Sequence, residues 1–172
     1  MLKIAGVILC IAGSTGYGWV KISGWKNGLL EMKIWLLLFQ KIKRCVLYQK
    51  ETLEGSCIWI GEKEDSLQAK QLKEIGCRAR RERNYEFSFL WYEEMGIWCK
   101  KTAMPEKAKG LLLQFPDYIK EADEHLQIQL FTVYMEEWKR EQHELEQRIK
   151  EQQKPVMAIS LVVGMMLSIL LV

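Results

Sequence analysis

The sequence predicts an all-α protein, a helical bundle domain between two single transmembrane helices. Three observations carry this expectation. The 172-residue chain has an apolar run at each end, residues 1–20 and 155–172, each close to the length that spans a bilayer. Between them, residues 21–154 repeat their apolar side chains at three- and four-residue steps. No period-two run in that middle stretch is bounded by turn residues, so no strand is expected.

The first apolar segment has Lys3 as its only charge. A secretory leader is the rival reading, but the polar end around Gly13, Ser14, Gly16 and Gly18 offers no clean A-x-A cleavage pattern. A retained helix is therefore expected. Its Gly6, Cys10, Ser14 and Gly18 recur every four residues, a ridge of small side chains of the kind that lets helices approach closely in lipid. Lys21, Lys26 and Lys33 follow this segment, and Arg148, Lys150 and Lys154 precede the last one. The basic flanks place the middle of the chain in the cytosol, as the domain of a two-pass membrane protein.

Ser23, Gly24, Asn27 and Gly28 read as a turn, after which residues 29–48 form a helix with two apolar faces. Leu30, Ile34, Leu37, Leu38 and Cys45 line one face, and Trp35, Phe39, Ile42 and Val46 the other. Residues 34–39 alone could be a strand, but Glu31, Lys33, Lys41 and Lys43 flank them at helical intervals. Thr52 is placed to cap a second helix that Gly61 ends, and Asp65 with Gln68 looks like a capping box for a third that closes near Gly76.

Arg78, Arg80, Arg81 and Arg83 form the one basic cluster. It reads as a contact for an acidic partner or for anionic lipid head groups, or more plainly as a solvated connector with Glu82 inside it. Asn84 is placed to cap a further helix whose Phe87, Leu90, Trp91, Glu94 and Trp98 put an aromatic stripe in the core. Pro105 and Glu106 suit the first turn of the next helix, and Pro116 breaks or kinks the chain beyond Leu113 and Gln114.

Residues 117–153 contain no glycine or proline, so the longest helix is expected there. Its upper half crowds apolar residues onto several faces: Leu126, Ile128, Leu130, Phe131, Val133, Tyr134 and Met135. Beyond Trp138 only Leu145 and Ile149 remain, a thin seam expected to form a solvated stalk. Pro155 is expected to kink or break the chain where stalk meets membrane. The uncharged run 156–172 makes a helix of roughly 25 Å, with Ser160, Gly164 and Ser168 as a second small-residue ridge.

Chemistry is sparse in this pattern. The net charge of +3 is modest and spread along the chain, which does not suggest nucleic-acid binding. Cys10, Cys45, Cys57, Cys77 and Cys99 form no C-x-x-C pair and read as free thiols in a reducing compartment. His125 and His143 have no metal-ligand spacing. No phosphate loop and no nucleophile elbow is present, and the carboxylates alternate with lysines as on a solvated helix face. A protein without catalytic activity, cofactor, metal or small-molecule substrate is expected.

The opening Met1-Leu2-Lys3 with Gly6, the spacing of Phe115 to Asp123-x-x-x-Gln127, and the terminal Leu161-x-x-Gly164 resemble the stage III sporulation protein AB family. The chain departs from the family pattern at Phe115-Pro116, where the family has Phe-Gly, and at Tyr48-Gln49, where it has Tyr-Gly. The resemblance implies a mother-cell membrane protein of the machine that links mother cell and forespore. It also implies a cytosolic domain similar to that of the type II secretion inner-membrane platform. The implied partners are a cytosolic sporulation ATPase and other membrane proteins of the same machine. Asp123 and Gln127, one helical turn apart, are the matched polar positions, serving either as partner contacts or as a cap and an interhelical hydrogen bond. The competing reading is a membrane-tethered coiled-coil scaffold for division or signalling, dimerising through residues 138–149. That seam has two strong apolar positions where a stable dimer wants three to four heptads, which favours the platform.

Overall fold

The computed structural model describes residues 2–119 and 124–171, apart from the side chains of residues 2–11, 15, 124, 167, 168, 170 and 171. Six α-helices and one 3-10 turn make up the described chain: α1 (Leu2–Gln49), α2 (Leu53–Lys63), α3 (Leu67–Arg81), α4 (Phe87–Lys101), α5 (Glu106–Gln114), the 3-10 turn Phe115–Tyr118, and α6 (Glu124–Leu171). The all-helical expectation holds for the described residues. Among them, no helix is long and apolar enough to cross a membrane.

Two helices of 48 residues, α1 and α6, dominate the molecule, each about 70 Å long at 1.5 Å per residue. They pack antiparallel. Gly18 lies against Ser160, the indole nitrogen of Trp138 donates to the carbonyl of Met32 at 2.9 Å, and Lys43 Nζ donates to Thr132 Oγ1 at 3.0 Å. Both helices run through breaks that the sequence suggested. The turn expected at Ser23, Gly24, Asn27 and Gly28 is helix throughout. Gly28 instead makes room for a neighbouring segment: a Cβ there would run into the carbonyl of Ala103 and would lie 3.3 Å from Met104 Cα. Pro155 likewise sits inside a continuous α6. Proline removes one hydrogen bond of the ladder, and the helical turns on either side keep the rest.

The short helices pack along the C-terminal half of α1. Helices α2 and α3 form a hairpin in which Thr52 Oγ1 accepts from Gly55 N at 3.1 Å and Ser66 Oγ accepts from Ala69 N at 3.2 Å. Helix α2 runs past Gly61 to Lys63. Ser66, not Asp65, is the cap of α3, and α3 continues past Gly76 to Arg81. Glu86, not Asn84, holds the cap position of α4, with no side-chain hydrogen bond to the first turn of that helix. Lys50 adopts a left-handed backbone, φ 53°, and stops α1 where a glycine would be more usual.

A continuous aromatic core joins these layers. Phe39 stacks on Phe115 at 4.4 Å and meets Tyr134 and Trp138 edge-on at 5.2 Å, while Trp35 meets Trp91 and Trp98 edge-on. Of the two apolar faces expected on this part of α1, Trp35, Phe39 and Ile42 of one are fully buried, while the other divides: Leu38 and Cys45 are buried, and Leu30 and Leu37 are 58% and 57% exposed. Polar atoms of several core side chains find backbone partners. Trp91 Nε1 donates to Leu112 O at 2.8 Å, and Tyr134 Oη donates to Leu111 O at 3.2 Å.

Candidate functional site

Among the described residues, no group of histidine, cysteine, aspartate and glutamate side chains is placed to hold a metal. Burial pushes the Cys57 and Cys99 thiols up, away from the thiolate that a nucleophile needs. Tyr92, hydrogen-bonded to the Asp117 carboxylate and partly buried, has its phenol pushed up to about 12 and stays protonated. The clefts are open. One of about 420 Å³ lies between the end of α1 and the start of α4, lined by Val46, Glu51, Phe87, Pro116 and Gln127. Another of about 480 Å³ lies beside Trp25, Met104 and Glu141.

Two of the sequence-derived residue sets have defined settings. The first is the pair of small-residue ridges. Gly18 is buried, and a Cβ built on it would lie 2.5 Å from Ser160 Oγ and 3.7 Å from the carbonyl of Val156. Ser160 Oγ donates back to that same Val156 carbonyl at 2.8 Å, and Gly164 is buried one turn further on. Ser14 is half-buried on the facing helix. Gly6, Cys10 and Ser168 belong to the same helices, with side chains outside the described set. Close packing at Gly18 and Ser160 is something that small residues permit and larger ones forbid. Replacing Gly164 by isoleucine is accordingly expected to weaken crosslinking between cysteines placed at Tyr17 and Ile159. Val163→Ile, at a position 45% exposed, is expected to leave it unchanged. Equal crosslinking in both variants would show that the ridge is not the contact.

The second set is the arginine cluster, which divides by helical phase. Arg78 points into the bundle. Its guanidinium donates to Glu82 at 3.1 Å and to Glu94 at 2.7 Å, with Glu93 at 2.9 Å. Arg78 is thereby a structural crosslink between α3 and α4, held by bonds that charge strengthens. Arg80, Arg81 and Arg83 are exposed and form no ion pair among the described residues. The periodicity of the sequence shows four arginines. Only the adjacent pair Glu93 and Glu94 on α4 could have signalled that one of them is taken.

Gln127 Nε2 donates to the carbonyl of Ile119 at 2.8 Å, tying the chain after the 3-10 turn to the first turns of α6. Asp123 lies outside the described residues. The seam residues Leu145 and Ile149 are each 6% exposed and belong to the chain's own core, where a solvated stalk was expected. A feature that the sequence did not single out follows the arginines along the chain. Tyr85 and Phe89 stack at 5.3 Å with planes 18° apart, and each is 54% exposed.

The family model described as stage III sporulation protein AB matches residues 3–172. No curated protein and no solved structure matches the chain. With the match running over nearly the whole length, the chain belongs to the stage III sporulation protein AB family.

Proposed function

We propose that this sporulation protein is a membrane-anchored assembly platform without catalytic activity, part of the transport machinery between mother cell and forespore. Its helical domain faces the mother-cell cytoplasm and docks a cytosolic ATPase, while its apolar helix ends engage other membrane proteins of the machine. The observation that carries this reading is the antiparallel pair of α1 and α6. Each is one unbroken helix from the aromatic bundle to the small-residue ends. A displacement at the bundle therefore reaches the helix ends without passing through a loop.

Several features support the membrane part of the reading. The shared end of the pair exposes Tyr17, Trp19, Val20, Ile159, Val162, Met166 and Ile169, an apolar girdle. Lys21, Lys26, Lys150 and Lys154 border it, with the Lys21 ammonium over the Trp25 ring at 5.6 Å. Aromatic and basic residues at the margin of an apolar band are the arrangement found at a membrane interface. Burial of Leu145 and Ile149 inside the chain also leaves the seam that a coiled-coil scaffold would need already occupied.

Two measurements test the proposal. A single cysteine introduced at Glu144, in a chain otherwise free of thiols, should resist an impermeant reagent in intact sporulating cells and react once they are permeabilised. The full-length protein in nanodiscs should retain the sporulation ATPase. Labelling in intact cells would overturn the topology, and failure to retain the ATPase would overturn the docking role.

A further inference from the structure

We infer that the end of the bundle remote from the apolar helix ends is a docking surface for an acidic face of a cytosolic protein, gripped by Arg80, Arg81 and Arg83 around the stacked rings of Tyr85 and Phe89. The inference rests on the platform reading and names the surface that such a platform would use.

These three arginines are surplus to the fold. Arg78 accounts for the carboxylates of Glu82, Glu93 and Glu94 around it, so the neighbouring guanidinium groups are not needed to hold α3 on α4. Arg80 and Arg81 lie in the last turn of α3, where positive charge suits the negative end of the helix dipole. The dipole does not explain Arg83, which lies beyond the helix. Nor does it explain two large rings stacked in solvent immediately afterwards. Hydration opposes such exposure, and a monomer gains little from it. Aromatic side chains with arginines around them are the composition of the energetic centres of protein interfaces.

Position decides the class of partner. Arg80 lines a cleft with Cys45, Gln49 and Glu51, and Phe87 lines one with Val46, so this surface sits at the C-terminal end of α1. Gly18, where the helix ends meet, is 28 residues before Val46, or about 40 Å along the helix. Head groups of a bilayer holding the apolar end are thus several Debye lengths away. A nucleic acid is disfavoured by charge, because Glu82 and Glu86 interrupt the cluster and the whole chain carries only +3. The fitting partner is a protein face with carboxylates set around an apolar centre, where arginine forks bind carboxylates in pairs and the ring pair fills the middle.

The test places a photoreactive amino acid at Phe89 of the full-length protein in sporulating cells, with a matched probe at Val133 as control. Crosslinked peptides are identified by mass spectrometry. The expected adduct at Phe89 is a peptide rich in aspartate and glutamate, at least tenfold depleted when Arg80, Arg81 and Arg83 are all changed to glutamate and depleted less when all three are changed to lysine, which keeps the charge but not the fork. If that peptide belongs to the ATPase, surface and docking role both stand. If it belongs to another cytosolic protein with the same arginine dependence, the surface stands and the ATPase assignment falls. An adduct to lipid or nucleic acid, no protein adduct, or an adduct unaffected by the glutamate variant would each overturn the inference. Unchanged membrane abundance and far-ultraviolet circular dichroism of the glutamate variant show that the loss is not one of folding.

Discussion

Replacing Trp138 by alanine is expected to lower the stability of the bundle by about 3–5 kcal/mol, the range found when a fully buried tryptophan is truncated and its cavity cannot close. Trp138 is 0% exposed and stands where α6 crosses the middle of α1. Its ring meets Phe39 edge-on at 5.2 Å and lies against Tyr134 at 6.2 Å, and its Nε1 donates to Met32 O at 2.9 Å. Both long helices close around it, so neither can move in to fill the void without displacing the other. Trp138→Phe keeps most of the apolar contact and removes the donor, so a loss nearer ~1 kcal/mol is expected, the usual net value of a hydrogen bond. Val133→Ala, 47% exposed on the same helix, should stay within about 0.5 kcal/mol. Urea unfolding of the full-length protein followed by circular dichroism measures all three. A Trp138→Ala loss below ~1 kcal/mol would mean that α1 and α6 do not share this core.

Helical class was legible because periodicity survives any tertiary arrangement: a core needs Trp35, Phe39 and Ile42 on one stripe however the helices are arranged. Interruptions were harder to read. Gly24 and Gly28 look alike in sequence, yet nothing lies within 4 Å of a Cβ on Gly24, whereas Gly28 makes room for the backbone before α5. A glycine that admits a neighbouring backbone is indistinguishable, one chain position at a time, from a glycine that turns. Long-range pairing with α6 then outweighs the local cost of such glycines in a helix.

The arginine cluster was legible as charge but not as function. Which guanidinium faces inward depends on Glu93 and Glu94, brought over by the α3 to α4 turn, and no local pattern encodes that turn. Exposure of Tyr85 and Phe89 was hidden for a related reason. Tyr85 lies in the bend before α4 and Phe89 in its first turn, on the side away from the buried Leu90 and Trp91, and a bend residue carries no helical phase from which its exposure could be read.

The same distinction between glycines gives the last prediction, in which identical substitutions have opposite signs. In a helix, alanine is more favourable than glycine by about 1 kcal/mol, because glycine loses more backbone entropy on folding. Gly96 in α4 and Gly110 in α5 have nothing within 4 Å of a built Cβ and no positive φ, so Gly96→Ala and Gly110→Ala should each stabilise the protein by about 0.5–1 kcal/mol. Gly61 in α2 has the same helical backbone and the opposite surroundings. A Cβ there would collide with Lys73 Cβ and would lie 2.6 Å from Ala69 O and 3.1 Å from Lys73 Cα. Two of these three atoms are α3 backbone, which cannot rotate away, so the α2 and α3 hairpin would have to spread. Its neighbours Cys57, Ile60, Leu72 and Ile75 would lose contact in the process. Overpacking of this kind costs roughly 1–3 kcal/mol, and the propensity gain offsets only part of it. Gly61→Ala should therefore destabilise on balance, and Gly61→Val more so because its branched Cβ adds further methyl groups at the same crossing. Thermal unfolding of Gly61→Ala beside Gly110→Ala reads the signs directly. A stabilised Gly61→Ala would show that Gly61 ends or loosens α2 and does not form its contact with α3.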